Sequence, residues 1–365
     1  MTENMLEYKC PSCGGALEFD SKTQKMKCPY CDSEYDVETL KAIDEATKIT
    51  STDDEMNWNT ETGKEFTDEE VSSLNVYVCK SCGGEIVVNE ETGATSCPFC
   101  GNPVVLAEKF SGMLKPDFVI PFKVSKNDAK EALKKHLTGK KLLPKVFKNE
   151  NHIDEIKGIY VPFWMFDADV NGSVTYEATT VDHWSDSQYD YTRTNHFEVF
   201  RQGGVSFTNI PVDASTKMPD DLMQSIEPFN LNDAVDFQTA YFAGYLADKY
   251  DVSVEESLPK INERVKTSTE NSFKNTIDAF YATVTPKNSY INVHNGQSKY
   301  ALLPVWILNT SWKGEKYTFA MNGQTGKFVG DLPMDKSLRN KYLLGTFLGA
   351  GAVGALISLL IQFLF

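Results

Sequence analysis

Eight cysteines in four Cys-x-x-Cys pairs constrain the fold of this 365-residue chain more than any other feature. The pairs form two units, and in each unit fourteen residues separate the first pair from the second. Each cysteine of the second unit follows its counterpart by 69 positions, which indicates an internal duplication. Because zinc prefers four tetrahedral soft ligands in a closed structural site, we predict two zinc ribbons holding one ion each. The predicted metal ligands are Cys10, Cys13, Cys28, Cys31, Cys79, Cys82, Cys97 and Cys100.

A glycine pair follows the first cysteine pair of each unit, at Gly14-Gly15 and Gly83-Gly84. Small residues suit a turn whose backbone amides point back at sulfur. Four cysteines also leave no open coordination position, so we expect structural sites and not catalytic ones. Disulfide bonds are the alternative for either unit. The polar N-terminus, without a signal peptide, favours thiolates in a reducing cytosol.

The last 24 residues, 342–365, contain no charged side chain. At about 1.5 Å per residue, a helix of this length crosses a hydrocarbon core of about 30 Å. Lys336, Arg339 and Lys341 precede it and predict that the rest of the chain is cytoplasmic. We therefore predict a single-pass tail anchor in the cell membrane, with a buried core helix as the alternative. Small residues four positions apart, such as Gly345 and Gly349, predict a face for helix-mediated oligomers.

The region between the second cysteine unit and the C-terminus alternates strand-like and helix-like stretches. One predicted helix is capped by Ser125, and a second begins with a capping box formed by Ser253 and Glu256. Strand candidates include residues 197–207 and 317–329. The expected buried positions on the two helices are Ala129, Leu133 and Leu137 on the first, and Ile261, Val265, Phe273 and Ile277 on the second.

A second repeat lies inside this region. Pro162-Phe163-Trp164 leads to Asn171-Gly172, and Pro304-Val305-Trp306 leads to Lys313-Gly314, with the two motifs 142 residues apart. Each copy predicts a strand, a tight glycine turn and a returning strand. The fold class that follows is α+β, with two related halves in the central domain.

The predicted domain organisation has five parts. Between the ribbons the chain is rich in acidic residues, which favours a solvated linker. A partner-binding segment anchored by Trp58 and Phe66 is the alternative. The predicted boundaries are 1–36 for the first ribbon, 37–75 for an acidic linker with a short helix, 76–105 for the second ribbon, 106–335 for the α+β domain, and 336–365 for the basic flank and membrane anchor.

Two further patterns resemble ligand sites. Asp167, Asp169 and Asn171 alternate as in a calcium loop, but the twelfth position holds Ala178 where a glutamate is needed. An Asn-Gly hairpin turn explains these residues better. His183 and His196 flank a polar loop that could bind a metal, although no spacing rule supports this. The chain has no P-loop and no nucleophile elbow, so we predict that it is not an enzyme.

The charge balance bears on nucleic-acid binding. The chain has 36 basic and 51 acidic residues, for a net charge of -15. Nucleic acid carries dense negative charge, so binding it requires a local basic face. The first ribbon offers one candidate, formed by Lys22, Lys25 and Lys27.

The paired Cys-x-x-Cys-Gly-Gly units, residues 158–169, 303–306 and 319–327, and the C-terminal segment together resemble one family. These are bacterial membrane proteins described as TFIIB-type zinc-ribbon-containing, often labelled replication-restart helicase-like. The resemblance implies a non-enzymatic, membrane-attached cytoplasmic protein, working beside phage-shock-type membrane-stress proteins. The absence of a P-loop argues against helicase activity.

We therefore expect a membrane-anchored cytoplasmic adaptor or scaffold that recruits protein partners, and a membrane-stress response is one process that it could serve. A membrane-tethered nucleic-acid-binding protein is the alternative. A hydrolase using the loop between His183 and His196 is a third class without spacing support.

Overall fold

The computed structural model describes residues 9–11, 15–41, 54–89, 92–94, 96–106, 114–148, 153 and 155–364. The fold is mixed α+β, as predicted. The strands are β1 (Glu18–Asp20), β2 (Lys25–Lys27), β3 (Glu34–Tyr35), β4 (Glu55–Asn59), β5 (Lys64–Glu65), β6 (Leu74–Val78), β7 (Glu85–Asn89), β8 (Val105–Leu106), β9 (Leu114–Lys115), β10 (Phe118–Val119), β11 (Lys157–Ser185), β12 (Asp190–Asp213), β13 (Val235–Asp236), β14 (Leu246–Asp248), β15 (Thr283–Trp312), β16 (Glu315–Asn322) and β17 (Phe328–Gly330).

Five helices are given labels, and residues 37–41 are also helical. The rest of the helix predicted after the first ribbon lies outside the described residues. The labelled helices are α1 (Asp68–Ser72), α2 (Lys126–Leu137), α3 (Asp220–Ile226), α4 (Val254–Lys274) and α5 (Lys336–Leu364).

The chain forms two compact units, and both draw on several segments. The first comprises Met1–Thr62, Met165–Val212 and Val254–Ser298, and the second comprises Gly63–Trp164, Asp213–Ser253 and Lys299–Phe365. The long strands β11, β12 and β15 contribute residues to both units. The predicted domain boundaries stay predictions.

In the first unit, α4 packs on strands β11 and β12. It begins at Val254, directly after the predicted cap Ser253, and its buried face includes Ile261, Val265 and Phe273 as expected. Phe273 lies in a buried cluster with residues of both strands, such as Tyr176 and Val199. Ile277 was predicted on the helix; instead α4 ends at Lys274, and Ile277 packs on the same cluster from beyond the helix end.

The turn predicted at Asn171-Gly172 is wrong, because both residues lie inside the continuous strand β11. Gly172 is explained by close approach of strand β15. A Cβ atom at Gly172 would lie 3.1 Å from the backbone oxygen of Tyr290 and 3.0 Å from Ile291 Cδ1. Glycine inside a strand often marks such an approach. In the second copy, Lys313 and Gly314 do form the predicted tight turn, with φ of 55° and 84°.

In the second unit the strand order is β13-β10-β15-β11-β14-β7-β6-β8, with β16 and β17 added beside β15. Residues 317–329, predicted as one strand, instead form β16 and β17 with a turn between them. Helix α2 packs through Ala129, Leu133 and Leu137, as predicted, against a core that includes Trp306 and Phe319. Its cap is Ser125, whose Oγ accepts a hydrogen bond from Asp128 N at 3.2 Å.

Helix α5 has the composition and length of a membrane span. The apolar stretch Lys336–Ile361 has a mean hydropathy of 2.1, and its most apolar window is entirely unburied. Exposed leucine and phenylalanine side chains cover its surface. The predicted basic flank forms the first turns of the same helix. The chain therefore has one C-terminal helix that is apolar and long enough to cross a bilayer.

Candidate metal centres

The second cysteine unit forms two tight turns, or knuckles, one at the end of β6 and one before β8. In the first knuckle Cys79 N donates to Gly84 O at 2.9 Å, and in the second Cys97 N donates to Asn102 O at 2.7 Å. Gly83 and Gly101 occupy the same place in the two turns, with φ of 70° and 77°. Glycine adopts this left-handed conformation without steric cost. The sequence therefore builds both knuckles with one backbone geometry.

The knuckles bring four sulfur atoms together. Cys79 Sγ lies 3.4 Å from Cys100 Sγ, and Cys82 Sγ lies 3.6 Å from Cys97 Sγ. All four sulfur atoms are within 4.8 Å of one another. Tetrahedral zinc with Zn–S bonds of about 2.3 Å requires sulfur atoms about 3.8 Å apart. The donor set and its spacing therefore fit zinc.

The surroundings of the sulfur atoms favour thiolate at some positions and thiol at others. Burial opposes ionisation of Cys79, but the backbone N–H groups of Cys82 and Ser81 donate to its sulfur and lower its pKa to about 7. Burial raises the pKa of Cys82 and of Cys97 above the usual range. A bound metal ion deprotonates its cysteine ligands, so zinc binding at this centre releases protons.

An aromatic side chain covers a glycine in each ribbon. A Cβ atom at Gly84 would lie 2.8 Å from the ring of Phe99, and one at Gly15 would lie 2.6 Å from the ring of Tyr30. The sequence analysis missed this contact. The signal was present, because an aromatic residue precedes the last cysteine of both units.

The second ribbon is continuous with the core of its unit. Strand β7 pairs with β14, where Val87 lies opposite Ala247. Lys157 Nζ donates to Ser96 O at 2.9 Å, and Asn309 Nδ2 donates to Pro98 O. The core thus holds the second knuckle through two side chains that the sequence analysis did not identify.

The first ribbon has its own three-stranded sheet, in the order β1-β2-β3. The sulfur atoms of Cys10, Cys28 and Cys31 lie within 4.8 Å of one another, and Cys10 and Cys31 are 3.6 Å apart. The predicted fourth ligand, Cys13, lies outside the described residues. Asp32, with a φ of 59°, takes the position that Gly101 has in the second ribbon.

Acidic side chains surround the lysines of the first ribbon. Lys25 Nζ lies 3.8 Å from an Asp36 carboxylate oxygen, and Lys27 Nζ lies 3.4 Å from Asp32 and 3.9 Å from Glu34. This arrangement reduces the local positive charge that nucleic-acid phosphates would require.

The residues that resemble a calcium loop bond to neighbouring strands. Asp167 Oδ1 accepts a hydrogen bond from Asn209 N at 2.6 Å. Asp169 accepts from Ser206 Oγ at 2.7 Å and from Asn295 Nδ2 at 3.1 Å, and these bonds lower its pKa. The pattern is thus explained by pairing across strands. Among the residues that the structure describes, the groups able to hold a metal are the two cysteine clusters.

His183 and His196 lie on a β-hairpin formed by β11 and β12, and each has its own partner. His183 Nδ1 is 3.0 Å from Thr192 Oγ1, and His196 Nδ1 is 3.4 Å from a Glu177 oxygen. The carboxylate of Asp182 pairs with Arg193, at 2.9 Å. The structure therefore does not gather these side chains around a common point.

The model of a zinc ribbon domain family matches residues 74–103. A Bacillus subtilis (strain 168) protein with the name "Uncharacterized protein YdjG" is 36% identical over 356 residues, which is 98% of each chain. No solved structure matches the chain. These comparisons support the zinc-ribbon prediction, whereas the TFIIB-type and replication-restart labels stay predictions.

Proposed function

This chain belongs to the family of Bacillus subtilis YdjG, and from that premise we propose that it is a membrane-anchored adaptor that recruits protein partners through its first zinc ribbon. The observation that carries this proposal is a pair of exposed aromatic residues on that ribbon. Phe19 is 55% exposed and Tyr30 is 76% exposed. Aromatic side chains are enriched at protein interfaces, and exposed ones are common at binding sites.

Both ribbons are proposed to hold one structural zinc ion. The four sulfur atoms of the second ribbon support this directly, and the three described sulfur atoms of the first ribbon agree with it. Four thiolates would close the coordination shell, so the metal would stabilise the fold and would not activate a water molecule. The proposal is accordingly for a binding protein and not an enzyme.

The anchor is proposed to be α5, with the ribbons on the cytoplasmic side. Lys336, Arg339 and Lys341 at its start support this orientation. The nucleic-acid alternative is less well supported, because carboxylates lie within 4 Å of Lys25 and Lys27.

The adaptor proposal is tested by crosslinking in membranes. Phe19→Glu should remove crosslinked protein partners while the protein stays in the membrane fraction, since a charge on the aromatic surface opposes its burial. Phe280→Glu is the matched control, because Phe280 is 72% exposed in the same unit but lies outside the ribbon. Equal crosslinking by wild type and Phe19→Glu would contradict the proposal. Removal of residues 342–365 should move the protein to the soluble fraction.

We also infer that the α+β region arose by duplication and that its two halves exchange a strand. Trp164 Nε1 donates to Val252 O at 2.9 Å, and Trp306 Nε1 donates to Val124 O at 3.0 Å. Each valine lies two residues before a helix, α4 in one case and α2 in the other. The tryptophans are 142 positions apart and the valines are 128 apart.

The strand register supports the same duplication. Strand β10 pairs in parallel with β15, with Phe118 opposite Ala301. Strand β14 pairs in parallel with β11, with Leu246 opposite Ile159. The short strands are again 128 positions apart and the long strands 142. The short strand and helix of each half therefore pack on the long strand of the other half.

A further inference from the structure

The second knuckle of the second ribbon is bound by a lysine that belongs to the core of the same unit. We propose that Lys157 is a positioning residue for the second metal centre and that it sets the affinity of this centre for zinc. The inference rests on the proposed zinc occupancy of the ribbons. It goes beyond that proposal because it assigns a role to a residue that is not a ligand.

The contacts of Lys157 converge on the backbone around Cys97. Its Nζ donates to Ser96 O at 2.9 Å and to Ser96 Oγ at 2.5 Å, and it lies 3.5 Å from Cys97 O. These acceptors belong to one turn, and Cys97 is a buried ligand at the start of that turn. A side chain that bonds both groups of Ser96 fixes where the next residue places its sulfur atom.

The position of Lys157 on the chain makes this contact rigid. It is the first residue of β11, whose next residues pair with β14 in the same sheet. The adjoining residue Ile156 is buried in the core together with Trp306. Lys157 is therefore held by the sheet while its ammonium group reaches the knuckle.

Charge gives a second reason for the contact. Four thiolates around one Zn²⁺ leave an excess of negative charge at the centre. Burial lowers the pKa of Lys157, whereas the nearby thiolates of Cys97 and Cys100 favour its charged form, and Glu155 acts in the same direction as the thiolates. The ammonium group compensates the charge of the loaded centre. Groups outside the ligand set typically change metal affinity by about 10-fold to 100-fold when they are removed.

The test uses the full chain in detergent micelles with Cys28→Ser, so that the remaining zinc ion belongs to the second ribbon. Zinc affinity is measured by competition with a chromophoric chelator. Lys157→Met should weaken affinity by about 10-fold to 100-fold. Lys157→Arg keeps the charge and should restore part of the loss. A purely steric role would not predict rescue by arginine, whose shape differs from that of lysine.

Lys126→Met is the matched control, because Lys126 lines the same cavity of about 420 Å³ as Lys157. It should leave zinc affinity unchanged. Ser96→Ala is a milder variant that removes one acceptor of Lys157, and it should weaken affinity several-fold if Lys157→Met does not accumulate. The absorption of Co²⁺ bound at the second centre should shift in Lys157→Met and not in Lys126→Met.

Wild-type affinity in both Lys157→Met and Ser96→Ala would overturn the inference and leave the zinc proposal intact. Equal losses in Lys157→Met and Lys126→Met would also overturn it, since the effect would then come from general charge. Absence of zinc from the Cys28→Ser protein itself would overturn both the inference and the proposed second zinc site.

Discussion

At the scale of single residues, each ribbon depends on a glycine that an aromatic ring covers. The space above Gly84 is filled by Phe99, and the space above Gly15 is filled by Tyr30. In both cases the glycine is the second of its pair, which follows the first two ligands. The requirement comes from packing, because neither glycine has a positive φ. Any larger side chain must displace the ring that covers the knuckle.

Gly84→Ala should destabilise the second ribbon by about 1–3 kcal/mol, because the added methyl group would overlap the ring of Phe99. Thermal unfolding of the zinc-loaded protein measures the effect. Gly93→Ala is the control in the same ribbon, since a Cβ atom there would meet nothing within 4 Å. Equal unfolding temperatures for the two variants would show that Phe99 moves away at little cost.

At the scale of elements, the two long strands β11 and β15 solve one packing problem in two ways. Gly158 and Tyr300 are 142 positions apart and occupy equivalent places before the Pro-x-Trp motifs. The ring of Tyr300 lies 5.2 Å from the ring of Trp164. At Gly158 there is no side chain, and the ring of Tyr245 approaches from the start of β14, 6.0 Å from the ring of Trp306. The aromatic group is therefore supplied by a different segment in each half.

Gly158→Tyr should strongly destabilise the second unit, because even a Cβ atom at Gly158 would lie 2.6 Å from the ring of Tyr245. The variant Gly158→Tyr with Tyr245→Asp recreates the arrangement of the other half, where Asp117 precedes the short strand and its carboxylate accepts from Tyr300 N at 2.8 Å. The second substitution should recover a part of the lost stability. A double-mutant cycle by denaturant unfolding measures the coupling between these neighbours. Additive effects of the two substitutions would contradict the proposed equivalence.

At the scale of the whole molecule, the two ribbons differ in how they are joined to the rest of the chain. The second ribbon adds β6, β7 and β8 to the sheet of its unit, whereas the first has a separate sheet. The ribbons were predicted as similar modules from their cysteine spacing. We infer a division of roles, with the second ribbon supporting the core and the first available to partners.

Loss of metal from the two ribbons should therefore have unequal consequences. Cys79→Ser should destabilise β14 and the core beyond it, because β7 is the neighbour of β14 and metal binding contributes folding free energy. Cys28→Ser should affect the first ribbon alone. Hydrogen exchange of the β14 amides measures the difference. Equal protection of β14 in both variants would show that the core does not depend on the second metal centre.

The sequence by itself determined the features that rest on local spacing. Two residues between cysteines place both sulfur atoms on one turn, so the clusters could be predicted without knowledge of the fold. The start of α2 at Ser125, its three buried residues and the apolar C-terminal helix are also local, because they follow from capping and periodicity.

Only the tertiary structure decided the features that join distant segments. Asn171-Gly172 has the local chemistry of a turn, yet it stays extended because β15 approaches its backbone and needs the space that a side chain would fill. Lys157 has no motif around it, and its role depends on β11 beginning beside a knuckle 60 residues earlier in the chain. The exchange of strands between the two halves is likewise invisible in the spacing of either copy. Pairing between distant strands depends on the whole fold, whereas cysteine spacing and helix caps depend on a few neighbouring residues.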